Sequence, residues 1–210
     1  SGILVHPTDQ MEPDTIVNGL LSYYPKIKNV GDNPLRPGIV HRLDKDVTGL
    51  MLICKNQPAF DHYKKQFQTR KVKKTYTALV HGTMVNDADT IDLPIIRSKN
   101  QGKMAVRSKE QGGKKAITKY TVIKKFNHFS LLEVEILTGR THQIRVHLNS
   151  LNHPVVGDKL YKQKNVKQKL ELDRPFLHST VLGFKNMKGE YQEFESALPL
   201  KLRKILKSLK

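Results

Sequence analysis

The chain has 210 residues, of which 38% are hydrophobic and 27% are charged, a composition typical of a folded protein and not of a disordered one. Its formal net charge of +18 attracts polyanions, so nucleic acid is the first candidate partner and an anionic membrane surface the second. The single cysteine, Cys54, excludes an internal disulfide and a cysteine-rich metal site; no apolar run is long enough to cross a bilayer, and we expect a cytoplasmic protein.

Two helices are predicted in the first third of the chain. The first follows a cap at Asp14 or Thr15 and ends before Pro25, because apolar residues recur between them at intervals of three and four. The second follows a cap at Asn56 and has Pro58 in its first turn, where a missing amide proton costs nothing.

Strand patterns occupy much of the remaining chain. The continuous apolar run 50–54 predicts a strand buried on both faces. Residues 75–80 predict a strand with Tyr76 on its apolar face, and segments 117–123 and 131–137 predict a strand pair. No linker-like segment divides the chain, so we expect one domain, or two lobes that share a sheet.

Positive charge is concentrated in two segments. Residues 64–74 contain six lysines or arginines and no acid. Residues 97–115 contain seven basic residues against one acid, with three glycines, which predicts a mobile basic loop or a hairpin. The chain closes with an amphipathic helix over 202–209.

The string LTGRTHQIRVHLNSLNHP, residues 137–154, predicts a short helix capped by Thr141 and ended by Pro154. On a repeat of 3.6 residues, His142 and Arg145 share the polar side of this helix. The buried side is formed by Ile144, Leu148 and Leu151.

An acid among cations is the feature that most suggests chemistry. In HRLDKD, Arg42 and Asp44 share a face if the chain is extended there. Asp44 is then either a surface cap paired with Arg42, which contributes little to stability, or a catalytic carboxylate held ionised by a guanidinium. The second arginine-rich string, 139–145, favours catalysis. Tyr76 is either a core aromatic or, after two lysines, a base-stacking residue.

Other catalytic and metal motifs are missing from the sequence. His142 and His147 are five residues apart, so they do not share a helix face as the zinc-binding pair of an HExxH helix does. The histidines are better explained as structural hydrogen-bonding groups or phosphate contacts. The GxSxG, phosphate-loop and dinucleotide-binding patterns do not occur either.

Four strings occur in one order: HRLDKDVTGL, KKTY, GRTHQIRVH and HPVVGDKLY. Together they resemble the RluA-type family of RNA pseudouridine synthases, and most closely its ribosomal large-subunit synthase D branch. The likeness runs from SGILVHP to LHSTVLGF, almost the whole chain. It implies an α+β fold in which helices flank a mixed, largely antiparallel central sheet with a central cleft. It also implies an isomerase that detaches uracil from ribose, rotates the base and rejoins it through carbon, without a metal or organic cofactor.

The resemblance also implies roles for individual residues. Asp44 is expected to be catalytic as a nucleophile or as a base, Arg145 to pair with it, and Tyr76 to be the active-site tyrosine. Arg42 is expected to enter the space that the flipped base leaves. The remaining substrate-binding candidates are His41, Arg140, His142 and Lys74.

The implied organisation is a single catalytic domain over 1–210, slightly truncated at the amino end and without the separate RNA-binding domain common in this branch. Its partner is RNA, ribosomal or transfer, and it is expected to be a monomer. Val47 and Ser179 differ from the usual residues, and we expect no effect on the assigned chemistry. The competing hypothesis is a non-catalytic RNA-binding or chaperone-like module that grips a flipped uridine, and a membrane-surface protein is the third.

Overall fold

The computed structural model describes residues 1–98, 103–162, 170 and 172–209. Its helices are α1 (Ile16–Tyr23), α2 (Gln57–Gln68), α3 (Gln143–Ser150) and α4 (Leu200–Ser208), with a short 3-10 helix at Pro25–Asn29. Its strands are β1 (Thr48–Gly49), β2 (Lys73–His81), β3 (Ala88–Asp92), β4 (Ile95–Arg97), β5 (Met104–Val106), β6 (Ile117–Phe126), β7 (Phe129–Ile136), β8 (Leu177–Lys185) and β9 (Tyr191–Glu195). No helix in these described ranges is long and apolar enough to cross a membrane.

A seven-stranded sheet organises the molecule. Its strands lie in the order β1, β8, β2, β7, β6, β3, and β9 pairs with the later part of β8. The β1–β8 pair is parallel, whereas the other pairs of this sheet are antiparallel. The expected mixed, largely antiparallel sheet is therefore confirmed. Strands β4 and β5 form a separate antiparallel pair.

Helices cover both faces of the central strand β2. Alternate side chains of a strand point to opposite faces. Ala78 accordingly packs in the cluster that contains Leu148 of α3, while Leu79 packs with Leu202 of α4. The expected arrangement of helices around a sheet is confirmed, and it sets α3 against the face that also carries Tyr76.

The predicted capping residues of α1 and α2 include the ones that cap these helices. The Thr15 side chain accepts a hydrogen bond from the amide of Asn18, and the Asn56 side chain accepts one from the amide of Ala59. The predicted cap of α3 at Thr141 is wrong. His142 holds that position with a left-handed φ of 54°, and its side chain makes no capping hydrogen bond.

The predicted strand over 50–54 is also wrong. Strand β1 ends at Gly49, and the later part of the run forms only one isolated bridge, between Ile39 and Ile53. The side chains from Leu50 to Ile53 are half-buried and divide among small clusters instead of filling one sheet interface. A run of apolar residues is therefore not sufficient evidence for a central strand.

The basic segment 97–115 begins at the last residue of β4 and includes β5, which pairs with β4 in the antiparallel way that the hairpin alternative predicts. Residues 99–102 lie outside the described ranges.

Candidate active site

Asp44 lies in a loop that runs directly into β1. The neighbouring side chains Leu43 and Val47 are buried in the same core cluster as Tyr76, so the loop is anchored on both sides of the carboxylate. A turn hydrogen bond from the Val47 amide to the Asp44 carbonyl, 3.0 Å long, closes it. The anchored loop leaves the Asp44 side chain 19% exposed, which makes the carboxylate accessible without leaving it free to move.

Arg42 does not pair with Asp44, because residues 41–47 form a loop and not a strand. The Arg42 side chain is exposed, and its Nη1 lies 3.4 Å from Nε2 of His6. Both Arg42 and Asp44 nevertheless line the same cleft. The alternative in which Asp44 is a surface cap paired with Arg42 is therefore wrong.

The partner of Asp44 is Arg145 on α3. Its Nη1 donates a 3.1 Å hydrogen bond to Oδ2 of Asp44, although the two residues are 101 positions apart. Arg145 is only 8% exposed. A charged hydrogen bond at a partly buried site is stronger than one between exposed groups, because water competes less for it.

A second carboxylate, Asp158, fixes the other edge of the same guanidinium. Nε and Nη2 of Arg145 donate to its two oxygens at 2.6 and 2.9 Å, and the amides of Leu160 and Tyr161 donate to Oδ1. Burial opposes ionisation of Asp158, but the hydrogen bonds and charge of Arg145 outweigh it and lower the pKa of this carboxyl. Burial likewise disfavours the guanidinium, yet Asp158 and then Asp44 raise the pKa of Arg145.

Sequence reasoning quoted Asp158 in a motif but gave it no role. A signal was present, because it is the single acid between Glu135 and Glu171. An isolated carboxylate in a strongly basic stretch requires a specific cation, and here that cation is Arg145.

His142 is the third side chain beside Asp44. Its Nε2 lies 3.9 Å from Oδ2 of Asp44, and its Nδ1 lies 3.0 Å from the hydroxyl of Tyr161. That hydroxyl accepts the amide proton of Met104, so its own proton is free to bond Nδ1 and leave the ring proton on Nε2, facing Asp44. Burial lowers the pKa of His142 in spite of the charge of Asp44, so the ring is neutral at pH 7.

Tyr76 closes the other side of the site from β2. It is 7% exposed and lies directly opposite Ser179 in the β2–β8 register. Burial raises the pKa of Tyr76 to about 12; a hydrogen bond with Ser179 opposes this rise and the charge of Asp44 adds to it. Ser179, for which we expect no effect on the chemistry, therefore contacts the tyrosine that is expected in the active site.

These residues surround one cleft with an empty volume of about 560 Å³. That space includes open solvent, so the cleft can be reached from the surface. The predicted site residues that line it are Arg42, Asp44, Tyr76, Arg140, His142 and Arg145.

His41 and Lys74 line the adjoining cavity instead. The His41 ring stacks on Phe67 at 4.5 Å, and its Nε2 accepts the amide proton of Leu52. Burial, with a smaller contribution from Lys74, lowers the pKa of His41 to about 3. These contacts give His41 a structural function in the cavity wall. In the described part of the chain, no three His, Cys, Asp or Glu side chains are grouped as metal ligands would be.

Comparison with known proteins places this geometry in a family. A family model described as RNA pseudouridylate synthase matches residues 1–150. The chain is 37% identical over its full length to an uncharacterized RNA pseudouridine synthase of Bacillus subtilis, covering 67% of that protein. It is 38% identical to ribosomal large subunit pseudouridine synthase D of Yersinia pestis, again over its full length and covering 66% of that protein.

Solved structures agree. The human RNA pseudouridylate synthase domain containing 1 superposes with a TM-score of 0.72 at 27% identity, over 88% of this chain and 74% of the human one. The chain spans about two thirds of the length of the curated relatives it matches. With the family model matching well over half of its residues, the chain belongs to the RNA pseudouridine synthases, the isomerases that convert uridine in RNA to pseudouridine.

Proposed function

We propose that this chain isomerises uridine to pseudouridine in large-subunit ribosomal RNA, with Asp44 as the essential reacting group. The observation that carries the proposal is the ionic pair of Asp44 and Arg145 at the wall of a cleft that Tyr76 also lines. The choice of RNA rests on relatives named ribosomal large subunit pseudouridine synthase D in several bacteria.

Access to the cleft requires the target uridine to leave its helix. Flipping a base costs a few kcal/mol of stacking and pairing, and contacts between lysine or arginine side chains and phosphates offset that cost. The +18 net charge of the chain supplies such contacts. The exposed Arg42 stands at the cleft and is placed to fill the space that the base leaves.

The reaction breaks the bond from N1 of uracil to C1′ of ribose and forms a bond from C5 to C1′; C5 loses a proton to solvent and N1 takes one up. Asp44 acts either as a nucleophile or as the base that removes a proton from the sugar. Both roles need an ionised and accessible carboxylate. Arg145 holds one oxygen of Asp44 by a hydrogen bond, and the carboxylate lines the cleft.

Tyr76 and His142 contribute without changing their own charge. A phenol whose pKa is about 12 stays protonated at neutral pH, so Tyr76 offers an aromatic face and a neutral hydroxyl to the substrate. Neutral His142 presents a ring nitrogen beside Asp44. The cleft therefore contains one ionised carboxylate opposed to cations, which suits a reaction that develops charge on a pyrimidine.

The test is the release of tritium from RNA labelled at C5 of uridine, comparing a large-subunit ribosomal fragment with transfer RNA. Asp44→Asn should lower the rate by at least about a hundredfold, the usual contribution of a proton-transfer or nucleophilic group. Asp46→Asn is the matched control, because Asp46 is exposed and two positions away. Full activity of Asp44→Asn would refute the assignment. RNA binding by the parental protein without tritium release would favour the non-catalytic module.

A further inference from the structure

A second cavity opens beside the active-site cleft, between the loop at His41, the end of α2 and the residues that follow β7. We call it the flanking cavity. It shares Arg42, Tyr76 and Arg140 with the cleft, and its empty volume is about 960 Å³. The two spaces are therefore adjacent, and these shared residues contribute to both.

The charge of the flanking cavity is one-sided. Four cationic side chains line it, and no aspartate or glutamate is among its described lining residues. The cations are Arg42, Arg70, Lys74 and Arg140. A cavity on the opposite side of Asp44 differs, because Asp46 and Asp173 line it together with its lysines. Of these two cavities, the flanking cavity is therefore the one that favours an anionic ligand.

Lys74 is the most informative of these side chains. The residue is 8% exposed and lines the flanking cavity. Its surroundings are largely shielded from water, so its positive charge favours an anionic occupant of the cavity. Burial lowers the pKa of Lys74 to about 8; Arg70 lowers it further and Glu135 opposes the shift.

The two neighbouring arginines are placed to share a ligand with Lys74. Arg140 uses its Nε to donate to the carbonyl of Lys115 at 3.1 Å, which fixes the guanidinium while its terminal nitrogens make no hydrogen bond with a described residue. Arg70 ends α2 in a Schellman motif: its φ is 59°, and the amide of Lys71 donates to the carbonyl of Gln66 at 2.9 Å. This fixed helix end holds Arg70 at the cavity.

We propose that the flanking cavity binds one backbone phosphate of the RNA, adjacent to the uridine in the cleft, with Lys74 and Arg140 as its ligands and Arg70 at its rim. A nucleotide in the cleft carries a phosphate on each side, and the acid-free cavity is the favourable place for one of them. Arginine and lysine are the usual phosphate ligands. The assignment rests on the proposed function, since it takes the occupant of the cleft to be a nucleotide of RNA.

This subsite couples RNA binding to protonation. Lys74 must carry its proton to bind a phosphate, so affinity should fall as the pH rises through about 8 and continue to fall, by up to about tenfold per pH unit. The expected pH dependence is assigned to Lys74 and not to the groups that face it. Arg70 and Glu135 are its charged neighbours, and the pKa of His41 is lowered to about 3, well below the relevant range.

The experiment measures the dissociation constant of a large-subunit ribosomal RNA fragment by fluorescence anisotropy, against pH and against salt. Lys74→Met should weaken binding about tenfold or more and reduce the slope of log Kd against log salt by roughly 0.7 to 0.9, the share of one phosphate contact. Lys74→Arg should keep the affinity and lose the pH dependence near pH 8, because arginine does not titrate there. It also serves as the variant of choice if Lys74→Met folds poorly.

Lys73→Met is the matched control. Lys73 precedes Lys74 on β2 but is exposed and paired with Glu193 at 3.1 Å, so its loss should change the affinity less than about twofold. A Lys74→Met variant that binds RNA as the parental protein does, with the same salt slope, would overturn the subsite. If tritium release is intact in that case, the proposed function stands while the subsite fails.

A chemical arm identifies the phosphate. One neutral methylphosphonate linkage is placed in turn on each side of the target uridine. At one of these positions it should weaken binding to the parental protein. At that position it should not further weaken binding to Lys74→Met, which already lacks the contact. Additive losses at every position would overturn the proposal. The proposal would also be overturned if no methylphosphonate linkage changed the affinity while inorganic phosphate stabilised the parental protein and not Lys74→Met. The site would then bind free phosphate.

Discussion

Asp158→Asn tests whether the buried carboxylate, and not Asp44, anchors Arg145. The side chain of Asp158 is fully buried and accepts two hydrogen bonds from Arg145 and two from backbone amides. Asparagine has nearly the same shape, and its oxygen can keep the amide bonds. Its NH2 group must then face Nε of Arg145, donor against donor, and the negative charge is lost.

The magnitude follows from what remains buried. Removing one partner of a buried ion pair costs about 3 to 5 kcal/mol, because the other charge stays desolvated and unpaired. For a protein of this size that corresponds to a fall in melting temperature of roughly 6 to 20 °C. Urea unfolding should show a lower midpoint with an unchanged slope, since the surface exposed on unfolding stays the same.

The matched control is Asp173→Asn. Asp173 also accepts two contacts from a cation, both 2.9 Å from Nζ of Lys201, but the two side chains are 66% and 62% exposed. Solvent screens such a pair, so the unfolding midpoint should not change measurably. The reasoning is refuted if the two substitutions move the midpoint equally. It is also refuted if Asp158→Asn changes the free energy of unfolding by less than about 0.5 kcal/mol.

The effect has a defined pH dependence. The pKa of Asp158 is lower in the folded protein than its ordinary value of 3.8. Its contribution to stability is therefore complete above that value and is lost as the pH falls through the folded-state pKa. The difference between the parental protein and Asp158→Asn should be constant at neutral pH and shrink in acid. A difference that persists unchanged in strong acid would contradict the ionic explanation.

Three further outcomes follow from local geometry. Gly49→Ala should lower the melting temperature far more than Gly189→Ala. Both glycines have a positive φ, but only at Gly49 would an added Cβ lie 2.2 Å from the Ser179 carbonyl oxygen. Equal effects would contradict that contact. Cys54 should react with a thiol reagent only after unfolding in urea, because burial raises its thiol pKa to about 11; rapid labelling of the native protein would refute this. Tyr76→Phe should leave the shape of the pH–rate profile unchanged between about pH 6 and 10, since the Tyr76 pKa is raised to about 12, and a lost ionisation within that range would exclude it.

The features that sequence predicted well depend on neighbours along the chain. Thr15 and Asn56 were identifiable as caps because a cap bonds to an amide three residues ahead. The alternation around Tyr76 was readable because a strand repeats every two residues. The family resemblance, carried by four strings in order, located Arg145 and Asp44 although they are 101 positions apart.

The features that sequence missed depend on tertiary contacts or unusual backbone. Asp158 is recognisable as important only when the guanidinium it holds is seen between two carboxylates. The left-handed φ of His142, which turns its ring towards Asp44, is set by how the chain enters α3 and not by a capping residue. Ser179 gained its contact with Tyr76 from the β2–β8 register, where a bulge between Thr75 and Tyr76 sets the pairing.

One guanidinium gives two carboxylates different properties. Asp158 accepts two hydrogen bonds from Arg145 and two from backbone amides, and it is fully buried, so both of its oxygens are engaged. Asp44 takes a single hydrogen bond and keeps 19% of its side chain exposed to the cleft. The trio has a net charge of −1, and that charge can react only where it is accessible. This asymmetry supports the proposed division, in which the buried acid holds the arginine and the accessible acid meets the nucleotide.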